Sequence, residues 1–277
     1  MKSIGCIYHY YEADLEHQKN FQYFLKYGIL QDVYYVIVLA SEPNFELPIL
    51  ENVSFIRVAN EFRDIGGYIK GYKEIRDIAD WDYVFFINSG ALGPLPIARF
   101  ALEKERWTTP FIDLFSDNVQ LVGTSVNTLP RPVPWSNVEE LLVNSPFSKY
   151  FSPFIASHIQ SFFFCIKKEA RHFLDGLGFF DQNLEQEQTY LIVNFEIALS
   201  QIILNAHPRW KIRSNLDFFR DIDFKGLKQD PNFTSYNGDP YFRGTYFGET
   251  IDPNEAVFFK TTRSLLNTEE LENLRNI

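Results

Sequence analysis

The run Trp81-Asp82-Tyr83-Val84-Phe85-Phe86-Ile87-Asn88-Ser89-Gly90-Ala91-Leu92-Gly93-Pro94 constrains the fold more than any other stretch of this chain. Tyr83–Ile87 is apolar on both alternating faces, so it reads as a strand covered from both sides. It stops abruptly at a small polar tip, Asn88-Ser89-Gly90, and a turn rich in Gly and Pro follows. Open α/β sheets place their ligands just beyond strand ends of this kind.

The segments before it alternate strand and helix. Ile4–Tyr8 is a short apolar strand, and Asp14–Tyr27 has helical spacing through Leu15, Phe21, Phe24 and Leu25. Val33–Leu39 suits a strand buried on both faces, and Val53–Val58 is the next. Asp64–Ile78 sets Ile65, Tyr68, Ile69, Tyr72, Ile75 and Ile78 near one helical face. This β-α-β-β-α-β order predicts an α/β fold, a mostly parallel sheet flanked by helices.

The second half is less regular. Residues 95–118 look helical in pieces, and Val119–Val126 reads as a strand ending at Asn127. The proline-rich stretch 128–157 resembles an ordered loop with a short helix near Asn137–Val143. Phe162–Lys167 is a strand, followed by an amphipathic helix over Lys168–Leu177. Residues 184–205 form the longest predicted helix, with apolar side chains around most of its circumference, which implies burial. Residues 215–250 have no periodicity and read as loop. Val257–Lys260 is a last short strand before a helix at Thr268–Leu274.

Several function classes drop out on composition. A formal charge of −10 over 277 residues argues against nucleic acid as a partner. Cys6 and Cys165 sit in apolar runs and read as core, not as a disulfide or zinc framework. No P-loop, His-Glu-x-x-His or Ser-His-Asp order occurs. No run of about 18 apolar residues suggests a transmembrane segment, so a cytoplasmic location is expected, compatible with peripheral contact at the inner membrane face.

Two local blocks could carry chemistry. Asn60–Tyr68 joins a strand to a helix, where backbone N–H groups meet anions, Gly66 and Gly67 allow close approach, and Arg63 adds a positive fork. Asp64 is either a helix cap or a ligand contact. Glu196 lies on the apolar helix with Ile192, Val193 and Leu199 one turn away. A carboxylate there is costly unless it is paired or lines a site.

Six pieces, taken in order, resemble surface-polysaccharide glycosyltransferases of the GT-A type from bacteria and viruses, including rhamnan-synthesis-like proteins. They are Arg63-Asp64-Ile65-Gly66-Gly67-Tyr68, Phe86-Ile87-Asn88-Ser89-Gly90 with Gly93-Pro94, Leu121–Asn127, His158-Ile159-Gln160-Ser161, Glu196-Ile197-Ala198-Leu199-Ser200 and Phe258-Phe259-Lys260-Thr261-Thr262-Arg263. The resemblance implies a single Rossmann-like GT-A domain over residues 1–277. Residues 1–127 would be its nucleotide-binding half, and 128–277 its acceptor half with a lid-like C-terminal segment.

It also implies transfer of a hexosyl or deoxyhexosyl group from a nucleotide-sugar donor to a glycan or lipid-linked glycan. Tyr8, His9 and Tyr10, with Tyr11, would hold the base. Arg63 and Asp64 would lie near the nucleotide or donor sugar, and Asn88, Ser89 and Gly90 beside the diphosphate. Glu196 would be the general base. His158 and Gln160 would meet acceptor hydroxyls, with Ser125 and Asn127 in similar positions.

The chain departs from the family at the tip, where most members carry a metal-binding Asp-x-Asp. Asn-Ser-Gly offers a hard cation only neutral ligands. No cofactor is therefore expected, and Mn²⁺ or Mg²⁺ would need carboxylates elsewhere, such as Asp64. Otherwise Lys260 and Arg263 take over leaving-group stabilisation. The rival reading is a nucleotide-sugar- or glycan-binding module without catalysis. A two-carboxylate glycoside hydrolase is disfavoured, because no second carboxylate accompanies Glu196 in the sequence.

Overall fold

The computed structural model describes residues 2–96, 106–133, 137–217, 220 and 222–276. Its first half runs β1 (Ile4–Tyr10), α1 (Leu15–Tyr27), β2 (Val33–Leu39), β3 (Val53–Arg57), α2 (Arg63–Arg76), β4 (Tyr83–Asn88) and the short β5 (Ala91–Leu92). Then come α3 (Thr109–Ile112), β6 (Val119–Gly123), β7 (Val126–Pro130), α4 (Val138–Asn144), β8 (Ile155–Ile159), β9 (Phe163–Lys167) and α5 (Lys168–Gly176). The chain closes with α6 (Gln188–Leu191), a π-helical turn (Ile192–Ile197), α7 (Ala198–Ala206), β10 (Lys211–Ser214), β11 (Phe259–Lys260) and α8 (Thr268–Arg275).

Seven strands form the central sheet in the order β10-β6-β9-β4-β1-β2-β3. The pairs β1–β2, β2–β3, β1–β4 and β6–β10 are parallel, and β9 runs antiparallel to both β4 and β6. The mostly parallel, helix-flanked α/β sheet expected from the sequence is therefore present. Alternation along β4 shows why its residues had to be apolar throughout. Val84 and Phe86 enter the core under α2, whereas Tyr83, Phe85 and Ile87 enter the opposite core with α1. Phe86 stacks on Phe164 of β9 with ring centroids 4.5 Å apart.

The expected strand 119–126 divides. β6 stays in the sheet to Gly123, and β7 leaves it to pair antiparallel with β8, matching Asn127 with His158. Ile155–Ser157 of β8 lie in the stretch expected as loop, where the prolines that run up to Pro153 disguise the start of the strand. Of the region 95–118, residues 97–105 lie outside those described, and α3 is the helix found in the remainder.

The predicted helix 184–205 begins at Gln188 and widens into the π-helical turn midway. By length and composition the Gln188–Ala206 helix could cross a membrane, but 67% of its apolar window is buried inside the domain.

The C-terminal segment, expected to be lid-like, is tied to the sheet tip and to α1. β11 pairs with β5, and Thr261 donates both its N–H and its hydroxyl to the Gly90 carbonyl at 2.9 and 3.1 Å. Further on, α8 is tied to α1 by Lys19–Glu272 and Arg275–Glu16, each 2.6 Å.

Candidate active site

From β1 the sheet grows one way through β2 and the other way through β4, so a crevice opens beyond their carboxyl ends. His9 and Asn88 are the last paired residues there. They lie at the base of a cleft of about 1110 Å³ lined also by Asp64, Ser161, Glu196, Lys260 and Arg263.

Asp64 is brought in by an unusual helix start. Phe62 and Arg63 both have left-handed backbone, φ 60° and 56°, a strained arrangement for non-glycine residues. Phe62 at the N-cap offers α2 no side-chain hydrogen bond, and the Asp64 carboxylate meets backbone N–H groups of the first turn. It also accepts from Asn88 Nδ2 at 2.8 Å and Ser161 Oγ at 3.4 Å. Burial pushes its pKa up, as does the charge of Glu196, while the Asn88 bond opposes them.

Ser161 links the two carboxylates: its hydroxyl reaches Asp64 and its N–H donates to Glu196 Oε2 at 2.7 Å. The sequence shows no carboxylate partner for Glu196; the fold brings Asp64 to the same serine. Glu196 belongs to the π-helical turn, whose extra residue re-phases the helix. Val193, Phe195 and Ile197 remain buried while Glu196 lines the cleft, its side chain 15% exposed. Such turns recur at functional sites. Oε1 of Glu196 lies 3.6 Å from His158 Nε2.

The cations come from the tail. Lys260 is partly buried over the Phe162 ring, 5.6 Å from its centroid. Burial lowers its pKa, against the pull of Asp239, Glu196 and Asp64. Arg263 donates through Nε to Asp239 at 3.0 Å. Sequence reasoning missed Asp239 and the bridging role of Ser161. Asp239 ends a tight hairpin, Tyr236-Asn237-Gly238-Asp239, whose central φ values are 50° and 85°. Asn-Gly is the usual signal for that turn, and Gly238 O accepts from Thr128 N–H on β7.

The other candidates scatter. Tyr8 and Tyr10 are fully buried and do not reach the cleft; both stack on Phe21, with Tyr8 also on Phe24 at 4.4 Å. That leaves neither ring a face for a nucleotide base. His9 and Tyr11 point the other way and line the cleft. The His9 ring is wedged against Gly67, where a Cβ would sit 2.0 Å from Cδ2. Gly67 therefore serves helix-on-strand packing, and Gly66 sits against the Glu61 carbonyl, so the pair does not cradle a ligand.

Ser89 Oγ donates to Tyr11 O at 3.0 Å, so its hydroxyl fastens β1 to β4. Gly90 and Arg63 line the cleft, and Arg63 is exposed. Gln160 is buried with its Oε1 accepting from Ser125 Oγ at 2.6 Å. Asn127 lines the cleft beside His158.

A divalent cation needs converging hard oxygen donors. At the tip, Asn88 Oδ1 already accepts from Gly90 N–H at 3.0 Å, and Asp64 Oδ2 serves both Asn88 and Ser161. Among the described residues, no three His, Cys, Asp or Glu side chains gather to hold a metal ion. At this strand end the hard oxygen donors are one carboxylate and one amide oxygen, each already holding a hydrogen bond.

No family model and no curated protein matches the chain. Among solved structures it is similar to the mannosyltransferase PcManGT from Pyrobaculum calidifontis in complex with GDP-Man and Mn²⁺, at 13% identity and a TM-score of 0.40, covering 76% of this chain and 54% of that one. It is also similar to S. aureus TarS 1–349, at 17% identity and a TM-score of 0.36, covering 78% of this chain and 61% of that one. With TarS 1–349 bound to UDP-GlcNAc the values are 16% and 0.39, covering 89% and 63%. The chain thus spans 54% to 63% of the length of these proteins.

Proposed function

We propose that the cleft transfers a sugar from a nucleotide-sugar donor to a glycan hydroxyl, as a GT-A-type glycosyltransferase. The observation that carries this reading is the meeting of Asp64, Asn88, Glu196, Lys260 and Arg263 in one cleft at the sheet's switch point. In it, Asp64 orients the donor, and the diphosphate lies across the tip at Asn88–Gly90. Lys260 and Arg263 neutralise the departing diphosphate in place of a divalent ion. Glu196 takes the proton of the attacking acceptor hydroxyl.

The test is release of UDP or GDP from UDP-GlcNAc or GDP-mannose, with glycan acceptors and with water, in excess EDTA. Full activity supports the cationic mechanism; loss that Mn²⁺ restores overturns it. Glu196→Gln abolishes release and leaves nucleotide binding intact, and unchanged turnover removes Glu196 from the base role.

One observation favours a second reading. Asp64 and Glu196 line one cleft and both bond to Ser161, so the cleft holds the two carboxylates that cleavage of a glycoside requires. Cleavage of simple aryl glycosides without any nucleotide would decide for it.

A further inference from the structure

His158 stands in β8, 3% exposed, with Nδ1 2.7 Å from the Ala156 carbonyl oxygen. Only an N–H satisfies a carbonyl, so Nδ1 carries a proton in either charge state and neutral His158 presents a bare Nε2. That nitrogen faces Glu196 Oε1 at 3.6 Å, while Oε2 is held by Ser161 N–H. Two acceptors facing each other repel, and one proton between them satisfies both. The distance is beyond a hydrogen bond, as catalytic pairs often are before substrate binds and tightens them.

Other groups face His158. Glu196 from the π-helical turn and Asp239 from the Asn-Gly hairpin favour its charged form; burial and Lys260 from β11 oppose it. Asn127 is its cross-strand neighbour.

We infer that His158, expected at first to touch the acceptor, is instead a positioning residue that holds Glu196 and relays its proton. This rests on the transferase reading of the cleft. The acceptor hydroxyl gives its proton to Glu196 as its oxygen bonds to the anomeric carbon. The bond from that carbon to the diphosphate oxygen breaks, and its electron pair leaves with the diphosphate. Glu196 then passes the proton to Nε2, and the imidazolium returns it to water.

Nitrogen-15 NMR of the full chain from acidic to basic pH tests the geometry without a substrate. The expected result is an Nδ1–H tautomer, with proton affinity at Nε2 falling about tenfold or more in Glu196→Gln. An Nε2–H tautomer, or a midpoint indifferent to Glu196→Gln, overturns the pairing.

Turnover of UDP-GlcNAc and GDP-mannose tests the relay. His158→Gln is expected to lose about 10- to 100-fold and to shift the acid limb of the pH profile, with UDP and GDP still bound in calorimetry. Turnover within about threefold of wild type and an unmoved limb overturn the relay even where Glu196→Gln is dead. A wild-type chain inert toward both donors, with the tautomer and midpoint as expected, overturns the transferase reading instead.

Discussion

The Asn88 amide donates to Asp64 at 2.8 Å, closing the end of β4 onto the first turn of α2. Its carbonyl oxygen is equally engaged, accepting from Gly90 N–H at 3.0 Å. An amide fits both roles at once because it carries a donor and an acceptor; a carboxylate carries acceptors only.

Asn88→Asp should therefore bring two carboxylates into contact where a donor once stood. In EDTA at neutral pH the variant is expected to lose about 2–4 kcal/mol of stability, the cost of an uncompensated buried charge. Added Mn²⁺ should restore part of that loss, since two carboxylates make a hard-oxygen site. Thermal melts with and without the ion check this; a variant as stable as wild type in EDTA contradicts it.

Asp64 carries a cost of its own. Its folded-state pKa is raised by burial and by Glu196, so between about 4 and that value the folded chain holds a proton that the unfolded chain has released. Stability consequently falls as pH rises from about 4, the unfolded value, through the raised one, and the cost persists at neutral pH. Asp64→Asn is expected to raise the melting temperature at pH 7, leave it little changed below about pH 4, and lower nucleotide release. Paired melts at the two pH values decide, and equal shifts at both would count against the cause.

The sheet was readable because a strand covered on both faces must be apolar throughout, as Val33–Leu39 and Tyr83–Ile87 are. The helix face of Ile65, Tyr68, Ile69, Tyr72 and Ile75 was readable for the equivalent reason. Tyr8-His9-Tyr10-Tyr11 was misread as one aromatic cluster, although strand alternation sends His9 and Tyr11 opposite to Tyr8 and Tyr10. The π-helical turn left no local mark, since widening by one residue depends on what packs around it. Asp239 had a visible turn signal in Asn237-Gly238, but its partner Arg263 is 24 residues on and only tertiary structure joins them.

His9 gives the opposite pH signature to Asp64. Burial lowers its pKa from 6.5 to about 4, so between those values the unfolded chain binds a proton that the folded chain refuses. Its contribution is present above pH 6.5 and lost as pH falls toward 4, reaching about 3 kcal/mol as an upper estimate. His9→Phe keeps a ring beside Gly67 and removes the titration. The difference in unfolding free energy between wild type and variant should therefore vary across that window, measured by urea unfolding at several pH values. A constant difference would mean His9 is not protonated on unfolding.

Gly67 offers the sharpest packing test, because the cleft's depth depends on how closely α2 lies on β1. A Cβ there would meet His9 Cδ2 at 2.0 Å, and one at Gly71 would meet Ile7 Cγ2 at 2.6 Å. Both neighbours are buried and cannot swing aside, so α2 must lift. Gly67→Ala is expected to cost about 1–3 kcal/mol or more, overriding the ordinary helical gain of Ala over Gly. Gly176 closes α5 with nothing within 4 Å of its would-be Cβ, so Gly176→Ala should be neutral or stabilising by up to about 1 kcal/mol. Since α2 also carries Asp64, lifting it should weaken UDP and GDP binding in Gly67→Ala and spare it in Gly176→Ala. Urea unfolding and calorimetry on the two variants separate a lifted helix from a general loss of stability: nucleotide affinity unchanged in Gly67→Ala would show that the cleft does not depend on this contact.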